Sequence, residues 1–87
     1  MQIVVDKEVV CWSKLGAETL LLNLDTGFYY TLDELGGMIW EMLVDQQDEK
    51  KIIERILSER DAERSDVESD LKVFLDELKR EGMIVVS

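Results

Sequence analysis

Eighty-seven residues, 46% hydrophobic and 34% charged, suit one modest core in a globular domain and leave no room for a second. Twenty acids against ten bases give a net charge of −10, shared by both halves of the chain, which opposes any phosphate-backbone partner. There is no histidine, one cysteine excludes an internal disulfide, and no apolar run approaches the roughly 20 residues that cross a bilayer.

The N-terminus, Met1-Gln-Ile-Val-Val-Asp6, has neither the basic start nor the long apolar stretch of a signal peptide, so the expected compartment is the cytosol. Val9-Val10-Cys11-Trp12 favours a strand, and Ile3-Val4-Val5 is expected to extend it. A second apolar run, Thr19 to Leu24, is separated from Phe28-Tyr29-Tyr30-Thr31 by Asp25-Thr26-Gly27, a hairpin signal because glycine tolerates the positive φ of such turns. The first third therefore predicts a three-stranded antiparallel meander.

The remainder reads as helix. From Asp33, Leu35, Ile39, Met42 and Leu43 recur at helical spacing, with Thr31 or Asp33 as N-cap and Thr31-x-x-Glu34 matching a capping box. The Gly36-Gly37 pair inside this helix costs roughly 1 kcal/mol per glycine and points to close packing. A second helix, about Asp48 to Arg60, buries Ile52, Ile53, Ile56 and Leu57. After a polar link from Asp61 to Arg64, Ser65-x-x-Glu68 predicts a capping box, followed by the stripe Val67, Leu71, Phe74 and Leu78, widened by Leu75. Gly82 stops this helix, and Met83 to Val86 either return to the core or pair as a short strand. Residues 1–87 thus form one α+β, winged-helix-like domain: a three-stranded antiparallel sheet followed by three helices.

Catalytic and metal chemistry find little to work with. Without histidine there is no Ser-His-Asp, Cys-His or Cys/His zinc site. Cys11 lies among Val9, Val10 and Trp12 and reads as a small core or sheet residue. The acids from Asp61 to Asp70 lack EF-hand spacing, and Gly36-Gly37 lacks that of a phosphate loop. No cofactor is implied. Lys50, Lys51 and Arg55 form the one candidate basic cluster, best read as a solvated face paired with Glu54 or Glu59. A DNA-reading winged helix needs a basic recognition helix, whereas the third helix opens with Asp66, Glu68 and Asp70. A fragment cut from a larger assembly is the other alternative, and would expose one large apolar patch. Phe28-Tyr29-Tyr30 places aromatics on both faces of the last strand of the meander, an edge unless the C-terminal segment covers it. That combination points to capture of an extended peptide by strand addition.

The segment from Leu22 to Trp40, Leu-Asn-Leu-Asp-Thr-Gly-Phe-Tyr-Tyr-Thr-Leu-Asp-Glu-Leu-Gly-Gly-Met-Ile-Trp, resembles the signature of PqqD-like proteins, with Asp33 where asparagine is usual. The resemblance extends over nearly the whole chain, to the Ile-rich second helix and the closing Glu-Gly-Met-Ile. It implies a non-catalytic recognition element for ribosomally made, modified peptides. Such a domain binds a precursor leader as an added strand beside the third helix. The chain's size resembles the stand-alone form of lasso-peptide biosynthesis, which delivers the leader to a separate peptidase and maturation enzymes. The alternative within the family is a peptide chaperone for a radical enzyme, as in pyrroloquinoline quinone synthesis. Carried onto this sequence, the resemblance implies that Phe28, Tyr29, Tyr30 and Thr31 pair with the leader. Val67, Asp70, Leu71 and Phe74 would form the opposite wall. It implies no metal, nucleic acid or membrane partner.

Overall fold

The Asp25-Thr26-Gly27 reversal is built around the side chain of Asn23, whose Oδ1 accepts from the backbone N–H of Asp25 at 2.9 Å and of Thr26 at 3.2 Å. Gly27, at φ +77°, donates to the Asn23 carbonyl, and the Asn23 N–H donates to Phe28 O at 2.8 Å. In the computed structural model, which describes residues 2–86, this turn joins β3 (Glu18–Asn23) to β4 (Tyr29–Leu32). β2 (Val10–Leu15) lies on the far side of β3, giving an antiparallel order β2-β3-β4 with Cys11 opposite Leu22 and Leu22 opposite Tyr29. Thr19, Leu21 and Asn23 face inward and are buried, whereas Cys11 is exposed on the outer face.

The N-terminal apolar triplet does not extend this sheet. β1 (Ile3–Val5) pairs antiparallel with β5 (Ile84–Val86) in a separate two-stranded ladder. A turn separates it from β2: the Val9 and Val10 N–H groups both donate to Asp6 O at 3.1 Å, and Asp6 N–H donates to Met83 O at 2.9 Å. The C-terminal segment therefore does both things expected of it, since Met83 is buried and Ile84–Val86 is a strand. It joins β1, and leaves β4 uncovered.

Three helices complete the core, α1 against the inner face of the sheet and α2 against α3. α1 (Glu34–Val44) is capped by Asp33, whose Oδ1 accepts from Gly36 N–H at 2.8 Å. Thr31 belongs to β4, so the expected Thr31-x-x-Glu34 box does not form. Gly37 meets the sheet so closely that a Cβ there would collide with Thr19 Oγ1. α2 (Glu49–Glu59) is capped by Asp48, accepting from Lys51 N–H at 2.9 Å, and its Arg55 pairs with Glu59.

α3 (Arg64–Arg80) departs from expectation at its start. Glu63 is the N-cap and makes no side-chain cap bond, which places Ser65 inside the first turn and removes the Ser65-x-x-Glu68 box. The extended link simply ends sooner than the serine, and Glu68 lies 3.9 Å from Arg64 across one helical turn instead. Val67, Leu71, Leu75 and Leu78 form the buried stripe, and Phe74 is displaced to its rim, only partly buried. The core they complete centres on Trp40, which is fully buried and set edge-on to Trp12, with Leu43, Ile52 and Met83.

Candidate functional site

β4 is bonded on one side only. Its four residues pair with β3 from Thr19↔Leu32 to Leu22↔Tyr29, and no strand among the described residues takes the other edge. Such an edge offers unpaired backbone donors and acceptors to any extended chain. Tyr29, 69% exposed, points outward, and Tyr30 and Leu32 point inward, partly buried. Phe28, 67% exposed, precedes β4 rather than opening it as expected, because its N–H donates to Thr26 Oγ1 and the Asn23 carbonyl that would pair with it is taken by Gly27 N–H.

Beside this edge runs a trough whose far wall is α3. One cavity, of about 260 Å³, has Tyr30 and Leu32 on the strand side, Phe74 and Leu78 on the helix side, and Leu21 and Met83 at its floor. A second, of about 270 Å³, continues toward the starts of α1 and α3, between Leu35, Gly36 and Ile39 and the helix residues Val67, Asp70 and Leu71. Phe74 lines both, so the two meet at its ring.

Glu81, the C-cap of α3, ties the helix to the sheet. Its backbone carbonyl accepts from Asn23 Nδ2 at 2.9 Å, and its carboxylate accepts from the Tyr30 hydroxyl at 2.9 Å. The hydrogen bond to Glu81, then burial, then the negative charge of Glu81 push the Tyr30 phenol above its ordinary pKa.

Of the residues expected at the site, Val67, Asp70, Leu71 and Phe74 line one cavity, and Tyr30 lines the adjoining one. Thr31 lies on the edge strand facing outward with Tyr29. Sequence reasoning did not single out Leu32, Glu77 or Glu81. The last two were within reach, since they follow Phe74 by three and seven residues and so share its helix face.

The walls of the trough carry carboxylates, one phenol and two guanidinium groups, but no thiol and no serine or threonine hydroxyl. An apolar floor beside an open strand edge binds by backbone pairing and by seating alternate side chains. Another cavity, about 740 Å³ and lined by Glu34, Gly37, Met38 and Glu41 of α1, has charges that are partly matched, with Lys14 3.8 Å from Glu41 and Arg55 paired to Glu59. Among the described residues no helix is long and apolar enough to cross a membrane.

A family model described as coenzyme PQQ synthesis protein D (PqqD) matches residues 18–84. The structure of TbiB1 in complex with the TbiA(beta) leader peptide is 30% identical in sequence and superposes with a TM-score of 0.89, over 97% of this chain and 96% of that one. Lasso peptide synthetase B1 complexed with the leader peptide is 22% identical, with a TM-score of 0.87 over 99% of this chain and 100% of that one, a likeness of fold. No curated protein matches the sequence significantly.

Proposed function

The chain belongs to the PqqD family, and from that premise we propose that it is a non-catalytic protein that captures the leader of a ribosomal precursor peptide as an added strand on β4. The observation that carries this reading is the conjunction of the free β4 edge with the apolar trough under Phe74. Each backbone hydrogen bond to the edge contributes about 0.5–1.5 kcal/mol whatever the ligand's sequence. Discrimination comes from side chains entering the two cavities, at about 1.5–3 kcal/mol for each one fully buried. The leader residues facing Tyr30 and Leu32 then lie against α3, and those facing Tyr29 and Thr31 lie on the open face of the sheet.

The relatives support a reading of the pathway. Both solved structures hold leader peptides, and one is named for lasso-peptide synthesis, which favours a cytosolic delivery protein that hands the leader to a separate peptidase and later maturation enzymes. The family model's own description favours a second reading, in which the same groove serves a radical enzyme acting on its precursor peptide. Calorimetric titration with a synthetic precursor leader and a scrambled control tests capture, and amide exchange of Tyr29–Leu32 tests its mode. Saturable binding of the true leader with slowed β4 exchange is the expected result. Binding that leaves the β4 amides unchanged overturns strand addition, and equal binding of the scrambled peptide overturns sequence-selective capture.

A further inference from the structure

The two flanks of α3 carry charge in different ways. Glu68, Lys72, Asp76 and Lys79, on the flank that faces β1, β5 and α2, alternate in sign as a solvated helix face ordinarily does. On the trough flank, four of the five charged side chains of α3 and its C-cap are acidic, Asp66, Asp70, Glu77 and Glu81 against Arg80, and Phe74 sits between the two acidic pairs. Spacings of four, four, three and four residues hold the four acids and Phe74 on one line.

Helix stability does not account for that line. Each acidic pair is four residues apart, where like charges destabilise a helix. Asp66 suits the positive end of the helix dipole, but Glu77 and Glu81 stand at the negative end, which favours cations. No ion pair among the described residues uses any of the four, although one oxygen of Glu81 accepts from Tyr30. Arg60 and Arg80 also line the trough and offset part of this charge, while Asp33 adds to it.

We infer that the segment taken up in the trough is basic, presenting Lys or Arg toward α3 on both sides of an apolar residue that meets Phe74. This rests on the strand-addition reading and adds the charge of the ligand to it. Spacing agrees with the inference. Residues four apart on a helix are about 6 Å apart along its axis, and same-face side chains of an extended chain repeat about every 6.7 Å. Each acidic pair thus matches two ligand residues separated by one, in a pattern of the form basic-x-basic-x-apolar-x-basic-x-basic. An acidic segment would meet this line and a body of net charge −10 besides.

The test is selection of a displayed random 12-residue peptide library on the full chain at low salt. A parallel selection uses the variant Asp66→Asn/Asp70→Asn/Glu77→Gln/Glu81→Gln. Circular dichroism checks its fold, and Glu77→Gln/Glu81→Gln serves as a milder second variant. Peptides selected on the natural chain are expected to favour Lys and Arg over Asp and Glu at alternate positions and to slow β4 amide exchange. Replacing those bases by Gln should weaken binding about tenfold, the sum of several exposed ion pairs, with the difference shrinking as salt shortens the roughly 10 Å screening length. The basic preference should vanish on the neutralised chain. Peptides that protect β4 but show no basic preference overturn this inference and leave strand addition standing. A preference that persists on both neutralised variants overturns the assignment to α3. Binders that leave β4 unprotected, or no binders at all, overturn both readings.

Discussion

Replacing Phe74 by alanine separates the groove from the core, because its ring lies at the rim of the buried stripe and lines both cavities of the trough. A fully buried phenylalanine contributes about 1.5–3 kcal/mol through area removed from water. Phe74 is already partly buried in the free protein, so about half of that amount remains for a bound leader to gain, or about 0.75–1.5 kcal/mol. At 1.4 kcal/mol per tenfold change, the leader Kd should rise about 3–12-fold. Truncation should cost the fold about 1–2 kcal/mol, less than the 3–5 kcal/mol of a fully buried Phe→Ala change. Leu71→Ala, at a position only 2% exposed, is the contrast, with an expected stability loss of about 2–5 kcal/mol. Urea unfolding followed by circular dichroism gives the stability of each variant, and calorimetry with the leader gives the affinity. A well-folded Phe74→Ala protein with unchanged affinity would refute the placement of the ligand against α3.

Asp48→Ala should cost about 1 kcal/mol in urea unfolding through loss of the α2 cap. Ser65→Ala should change stability by less than about 0.5 kcal/mol, because that serine is not the N-cap of α3. Gly37→Ala should destabilise by about 1–3 kcal/mol, since its methyl group would press on the buried, β-branched Thr19, and the urea midpoint should fall accordingly. Tyr30 has a folded-state pKa above its unfolded value, so its contribution is complete below about pH 10 and is lost as pH rises through the folded pKa. The stability difference between wild type and Tyr30→Phe should therefore be flat through neutral pH and shrink only on the alkaline side. A difference that shrinks already on acidification would refute this assignment.

Local chemistry made the hairpin and helices legible. Gly27 in its turn, Asp33 as a cap, and the periodic apolar residues of α2 act within a few positions of one another, and the elements begin and end close to where those signals fall. What was missed depends on residues far apart in the chain. Pairing of Ile3–Val5 with Ile84–Val86 joins two three-residue strands of similar composition, and nothing in either triplet names the other as partner. The alternation of Phe28, Tyr29 and Tyr30 could not reveal which tyrosine turns inward, because that is fixed by the register with β3, which sets Tyr30 opposite the buried Leu21 and within reach of Glu81, 51 residues away. Ser65 looked like a cap because serine, a two-residue gap and glutamate form a strong local motif, yet the chain enters the helix one turn-fraction earlier, at Arg64. At the site, helical spacing united Val67, Leu71 and Phe74. It could not rank Phe74 against Leu75, which differ by one position and exchange the roles of rim and core.

The seam between β1 and β5 has a consequence for how the molecule can be joined to others. It sets Ile3 opposite Val86, a separation of about 5 Å across an antiparallel ladder, beside the α3 flank opposite the acidic line. A tether attached at either residue leaves from the same spot and keeps clear of the β4 edge. The domain can therefore be spliced into a larger polypeptide through a single attachment point without obstructing the ligand. A short glycine bridge between the two strands, with the chain reopened at the exposed Gly16–Ala17 turn between β2 and β3, would give a circularly permuted protein whose groove is assembled from the same walls in a new order of synthesis.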